Sequence, residues 1–330
     1  MNRLSRTLAG LALLVLSTLA VAEQDPGALL QQMAWALDRT NYEGVFIHTH
    51  LGHSETMKVV HRVDADGKIT ERLVSIDGSG REIIRNDDEV RCILPDRRSV
   101  FVEKLNNQNP LFANLPRYSD KLGLYYNFLV YGPEKLLRLD TRILVIEPRD
   151  GYRYGYKLWL EQSTSLPLKT QLLGEDGGVI EQILFHSITL SEEIPASAVE
   201  PGVDAAGFTW YHDPGDTPAG SGDPRSTLWQ AAELPPGFRL EAVNRDYLPD
   251  SESPTQHIVY SDGLASVSVF VEPGSRDDRG LTVGTAQRGA AFAHTALADD
   301  HLVTAVGEVP EATVRMIAGS MHKTTRDARR

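Results

Sequence analysis

The hydrophobic period changes at Gly44, and that change narrows the possible folds more than any other feature. From there to Thr189 apolar and polar residues alternate in short runs, at 44–51, 56–63, 68–76, 81–86, 90–94 and 98–103, then at 142–147, 152–161, 166–173 and 179–189. A period of two marks a half-buried strand. The connections are short: Asp66-Gly67, Asp77-Gly78-Ser79-Gly80, Asp87-Asp88 and Pro95-Asp96, and later Asp150-Gly151, Ser163-Thr164-Ser165 and Asp176-Gly177-Gly178. Turns of this kind join adjacent antiparallel strands, whereas parallel strands need long crossovers. About ten strands in series predict a large antiparallel sheet, curved or partly closed. The aromatic stretch Leu111–Tyr131, with Pro110, Pro116 and Pro133 in and around it, predicts short helices and loops over an opening of that sheet.

The flanks differ in period. Asp25-Pro26 is an N-cap with a first-turn proline, and Leu30, Met33, Ala34 and Leu37 follow at helical spacing. Residues 213–226 hold three prolines, three glycines and three aspartates, the composition of a linker. Beyond them strand runs return at 238–246, 256–261, 264–271, 280–285, 289–295 and 301–306. A last helix opens at Glu308-Val309-Pro310-Glu311, with Val314, Ile317, Ala318 and Met321 as its apolar stripe. The fold class is therefore α+β, mainly antiparallel β. A large sheet domain over 23–212 is joined by the linker to a smaller α+β domain over 227–323, and 324–330 form a basic tail.

Arg3 and Arg6, the apolar run Leu8–Leu19 and the small-x-small end Ala20-Val21-Ala22 read as a signal peptide over 1–22, cut after Ala22. The next residue is Glu23 where a lipoprotein would carry cysteine, so the expected location is the periplasm, without a lipid anchor. Cleavage removes two arginines and no acids, taking the net charge from -12 to -14. That balance, without a basic stripe, excludes nucleic acid as a partner. The lone Cys92 closes no intramolecular disulfide, so stability rests on the apolar core.

Catalytic signals are weak. His48 and His50 lie on one strand run, where alternate residues share a face, and are followed by His53 and His61, but no acid or cysteine stands at metal-ligand spacing. Ser79 sits in a hairpin turn, and Gly284–Gly289 lacks the Lys-Ser/Thr of a phosphate loop. No catalytic residue, metal site or cofactor is expected. Two aromatic groups carry more: Tyr152, Tyr154 and Tyr156 alternating toward Trp159, and Tyr125, Tyr126, Phe128 and Tyr131 in the cover. They suit either a hollow apolar barrel or a filled core.

Several strings resemble the MucB/RseB family of periplasmic regulators of an envelope-stress sigma factor pathway. They are Asn41-Tyr42-Glu43-Gly44-Val45-Phe46, Arg72-Leu73-Val74-Ser75-Ile76-Asp77-Gly78, Tyr152-Arg153-Tyr154-Gly155, Leu158-Trp159, Leu166-Pro167-Leu168-Lys169, Leu234-Pro235-Pro236-Gly237-Phe238, the run Tyr260–Phe270 and Gly307-Glu308-Val309-Pro310. The resemblance implies a large domain like the periplasmic lipoprotein carriers, an unclosed β-barrel with covering helices. It also implies binding of the periplasmic region of a transmembrane anti-sigma factor (MucA/RseA-like), protection of that protein from regulated proteolysis, and release by lipid A or lipopolysaccharide fragments. An acidic protein does not attract phosphorylated headgroups at long range, so lipid would bind through its acyl chains. The lipid-binding candidates are then Phe46, Leu124, Tyr125, Phe128, Tyr154 and Trp159. The peptide-binding candidates are Tyr260, Leu264, Val267, Val269 and Phe270, expected on a strand free to pair at a sheet edge. A lipid or lipoprotein carrier is the alternative, then a hydrolase or metal enzyme built on His48, His50 or Ser79; self-association into a homo-oligomer stays open.

Overall fold

The structure is a computed structural model that describes residues 25–104, 115–116, 121–212, 228–246, 255–273 and 283–324. The expected signal peptide, linker and tail, and most of the segment 105–120, lie outside the described residues.

Helix α1 (Pro26–Arg39) begins as the sequence predicts: the Asp25 carboxylate accepts from the Gly27 N–H at 3.0 Å, and Pro26 occupies the first turn. Twelve strands then form one sheet: β1 (Asn41–His50), β2 (His53–Val63), β3 (Ile69–Ser75), β4 (Glu82–Arg85), β5 (Glu89–Leu94), β6 (Ser99–Lys104), β7 (Tyr126–Leu136), β8 (Leu139–Pro148), β9 (Gly155–Glu161), β10 (Pro167–Leu173), β11 (Val179–Ser191) and β12 (Thr209–His212). Their order is β12-β6-β5-β4-β3-β2-β1-β11-β10-β9-β8-β7, so the ends do not meet and the sheet is unclosed. All pairs are antiparallel except β12 with β6.

The sheet curls, and its core gives the reason. Leu29, Leu30, Met33, Ala36 and Leu37 of α1 share one buried cluster with Phe46 (β1), Met57 and Val59 (β2), Leu73 (β3), Tyr126 (β7), Leu144 and Ile146 (β8), Leu158 and Leu160 (β9) and Phe185 (β11). Eight adjacent strands laid flat would span about 34 Å, whereas a helix is about 10–12 Å across. One helix reaches all of them only if the sheet wraps around it. Among the described residues the part of the inner face beneath α1 is therefore packed with side chains of the protein itself.

Two parts of the sequence reading change. Tyr126–Leu136 is an edge strand rather than cover loop; Pro133 is accommodated at an irregularity between Tyr131 and Glu134, where an edge strand tolerates a missing N–H. The short parallel strand β12 adds a second edge that no alternation announced.

The C-terminal part builds a six-stranded sheet from β14 (Arg239–Asp246), β15 (Thr255–Ser261), β16 (Ser266–Pro273), β17 (Gly284–Arg288), β18 (Ala291–Ala298) and β19 (His301–Gly307), ordered β14-β15-β16-β19-β18-β17. Helix α2 (Glu311–Ser320) lays Val314, Ile317 and Ala318 on Val267, Val269, Val303 and Ala305. A two-stranded ribbon, β13 (Trp229–Ala231) with β20 (Met321–Lys323), closes this unit.

Candidate functional site

The two sheets meet at a built seam, and Arg153 is its centre. The Asp150-Gly151 turn sets Arg153 just before β9, where Arg153 Nε donates to Asp150 Oδ1 at 3.0 Å. Its Nη1 donates to Asp262 Oδ2 at 2.7 Å and its Nη2 to the Pro236 carbonyl at 2.6 Å, both in the C-terminal unit. Arg153 and Asp262 are each 0% exposed. The guanidinium lies 5.1 Å from the ring centre of Tyr125 and 5.4 Å from those of Tyr126 and Phe238, so its faces meet π-density from both units.

Asp262 is as fully used. It opens the β15–β16 turn, where its Oδ1 accepts from the N–H groups of Leu264 and Ala265 at 2.8 Å each, and its Oδ2 accepts the Tyr126 hydroxyl at 3.0 Å. Burial, and then the Asp262 charge, push the Tyr126 hydroxyl far up, so Tyr126 stays a donor. A buried ion pair offsets its desolvation only when further hydrogen bonds serve its other atoms; here each guanidinium nitrogen has an acceptor and both Asp262 oxygens have donors. Lysine lacks the planar fork that serves Asp150, Asp262 and Pro236 at once.

Smaller contacts extend the seam. The same turn carries Leu264 onto the core beneath α1. The Thr313 hydroxyl at the start of α2 donates to the Tyr152 carbonyl at 2.6 Å. Gly237 has φ +88° and its Cα faces the Tyr125 ring so closely that no Cβ fits.

The predicted lipid-binding residues separate into four places. Phe46 is fully buried under α1, 5.7 Å from Phe185, while Tyr125 and Phe128 pack against the same cluster half-buried. Leu124 stands out at 64% exposed. Tyr154 is at the seam, clustered with Leu172 and with Ala290 of the C-terminal unit. Trp159 falls on the opposite face from Leu158 and Leu160, with Ile143 and Val145, between the ammonium groups of Lys157 at 4.7 Å and Lys169 at 4.3 Å. Tyr154 and Trp159 therefore do not share one lining with Phe46.

The expected peptide strand is corrected. Tyr260 ends β15 and Val267, Val269 and Phe270 belong to β16; both strands are interior to the sheet and hydrogen-bonded on two sides, so they offer no free edge. Tyr260, Val267 and Val269 are buried in the core under α2, Phe270 stacks on His257 at 4.6 Å, and Leu264 is spent on the seam. Of the histidines, His61 is stacked on Tyr42 at 4.9 Å, six positions along β2 from the partner of His48, or about 20 Å. Ser79 is in its turn, its hydroxyl accepting from the Arg81 N–H at 3.3 Å.

Sequence reasoning missed Arg153 and Asp262 as a pair. The signal was one cation inside an aromatic alternation, and one acid before a glycine turn, in two distant strings.

Comparison with known proteins covers both units. Residues 25–203 match the family described as the MucB/RseB N-terminal domain, and residues 223–322 the MucB/RseB C-terminal domain. The chain is 28% identical over 318 residues to the "Sigma factor AlgU regulatory protein MucB" of Pseudomonas aeruginosa, covering 92% of each chain. It is 28% identical over 310 residues to the "Sigma-E factor regulatory protein RseB" of Escherichia coli, covering 92% of this chain and 93% of that one. The solved MucA/MucB complex of Pseudomonas aeruginosa superposes with a TM-score of 0.69 at 28% identity, over 92% of this chain and 100% of that one.

Proposed function

The chain belongs to the MucB/RseB family, and from that premise we propose that it binds the periplasmic region of a transmembrane anti-sigma factor of the MucA/RseA kind and shields it from regulated proteolysis. In this reading it is a binding protein without catalysis. It is exported to the periplasm by residues 1–22, and its domains are 23–212 and 227–323. The observation that carries the reading is the agreement with a solved MucA/MucB complex across both units in the same order. The seam supports it: a partner that touches both units meets a surface whose two halves are already held in register by Arg153 and Asp262.

Release by lipid A or lipopolysaccharide fragments completes the proposal. The support is chemical: an apolar inner face lies under α1, and the exposed Trp35 and Leu124, at 61% and 64%, offer acyl chains a first contact. Because α1 fills that face, tails would enter by displacing side chains rather than by occupying a standing hollow. Phe46, Tyr125 and Phe128 would then be uncovered together, while Trp159, on the other face, would not.

Co-purification tests the first part. The tagged mature chain is expected to retain the periplasmic region of the anti-sigma factor and to slow its cleavage by a periplasmic protease. Recovery of lipid alone, with no anti-sigma segment, would replace the regulator with a carrier. Lipid A added to the complex is expected to release the segment; unchanged affinity with lipid bound would remove the release step and keep the binding.

A further inference from the structure

Strand β7 leaves the seam along an open edge. It is the last strand of the large sheet, paired with β8 alone among the described residues, and Tyr126 at its start donates to Asp262 across the seam. From Tyr126 to Tyr131 its register with β8 is regular, and the irregularity that accommodates Pro133 follows. Tyr126, Phe128, Leu129, Val130 and Tyr131 make this stretch apolar and aromatic, and it holds no charge. Edge strands are ordinarily blunted by lysine, proline or a bulge, because a flat apolar edge is a template for another chain. Here the proline comes after Tyr131.

The phase of the ladder decides which backbone groups are open. The Arg149 N–H donates to the Tyr125 carbonyl at 2.9 Å, and the register continues with Asn127 opposite Glu147, Leu129 opposite Val145 and Tyr131 opposite Ile143. In an antiparallel pair every second residue bonds across to its partner, and the residues between face away. Asn127, Leu129 and Tyr131 are in step with Tyr125 and bond to β8, so the N–H and C=O groups of Phe128 and Val130 point to the open edge. Pro148, which has no N–H to give, stands opposite Tyr126 at one of the positions that face away, so the ladder loses nothing there. The side chains suit pairing as well. Phe128 and Val130 lean half-buried on the inner core, while Leu129 and Tyr131, 36% and 53% exposed, stand on the outer face. The opposite edge of the same sheet, β12, is four exposed residues without such half-buried positions.

We propose that the periplasmic region of the anti-sigma factor adds a strand to the β7 edge, its backbone pairing with Phe128 and Val130 and one of its ends lying at the seam. The inference rests on the binding function proposed above and supplies its mode. A segment laid along β7 from Tyr126 meets the C-terminal unit at once, because Tyr126 is bonded to Asp262 and the ring of Tyr125 faces Gly237. It therefore touches both units while occupying one edge. The segment that fits is extended, with apolar residues at alternate positions to meet Phe128 and Val130.

Residue-resolved hydrogen exchange of the full mature chain, with and without a saturating amount of that periplasmic region, tests this. The amides of Phe128 and Val130 are expected to slow by about tenfold or more on binding, and those of Leu129 and Tyr131, already bonded to β8, to change less. V130P removes an outward N–H and spares the β8 ladder, and it is expected to weaken binding by about tenfold or more. Unchanged exchange at Phe128 and Val130 in a complex that does form would overturn the strand addition and leave the binding function standing, as would a folded V130P that binds like the wild type. Amides of Phe128 and Val130 already slow in the partner-free chain would assign the edge to this chain itself or, where the slowing grows with protein concentration, to a second copy, and either result overturns the proposal. Absence of any complex would remove the binding function and the strand addition with it. Should V130P fail to fold, the exchange comparison on the wild type decides alone.

Discussion

A guanidinium removed from water costs several kcal/mol unless each of its protons finds an acceptor, and the same holds for a carboxylate. Arg153 and Asp262 satisfy each other through groups drawn from both units, so removing one leaves the other buried and charged. D262A is expected to cost about 3–5 kcal/mol, read as a lower urea midpoint of the seam-reporting transition. R153M/D262L, which removes both charges, is expected to cost less than either single loss, measured in the same way. His61 makes a separate prediction. It is fully buried, with Nδ1–H donating to the Thr40 carbonyl, and stands in a row across four strands with Tyr42, Glu71 and Arg85. Burial lowers its pKa to about 4, the Thr40 bond working against the shift and the Arg85 charge with it. The unfolded chain therefore takes up this proton first. The stability His61 confers is complete above about pH 6.5 and is lost as pH falls toward 4, about 3 kcal/mol in all. Denaturant melts at pH 7 and pH 4.5 check this, and H61F should reduce the difference.

Helix α1 shows how much of an element alternation and capping reveal. Asp25, Pro26 and the Leu30, Met33, Leu37 spacing predicted it, and its burial under the sheet follows from that stripe. M33A, deep in the same cluster, is expected to cost about 2–5 kcal/mol by chemical denaturation, because the closed inner face cannot collapse onto the space. The strands of the large sheet were equally legible, since period two and short turns are local signals. Strand β7 was hidden by Pro133, and β12 by being four exposed residues whose sheet partner among the described residues, β6, lies about a hundred positions away. The site was the least legible. Alternation placed Trp159 among aromatics bound for the interior, yet Leu158 and Leu160 take that face and Trp159 takes the other. The length of β16 was read correctly, but no local pattern tells an edge strand from an interior one, and two neighbours already use its backbone.

For the molecule as a whole, the seam is where sequence-distant parts act together: the turn at Asp262, the start of β9 and the first turn of α2 converge there. A partner that bridges both units draws on that registration, so D262A should weaken binding by more than a change of similar size confined to one unit, such as M33A; affinity titrations of the two variants compare them. The proposed function requires that the chain hold the periplasmic region of an anti-sigma factor. Titration calorimetry of the purified mature chain with that region tests it most directly. Saturable binding with close to one partner per chain, reduced in D262A, is the predicted result; no heat and no co-elution, from a chain that circular dichroism shows to be folded, would contradict it.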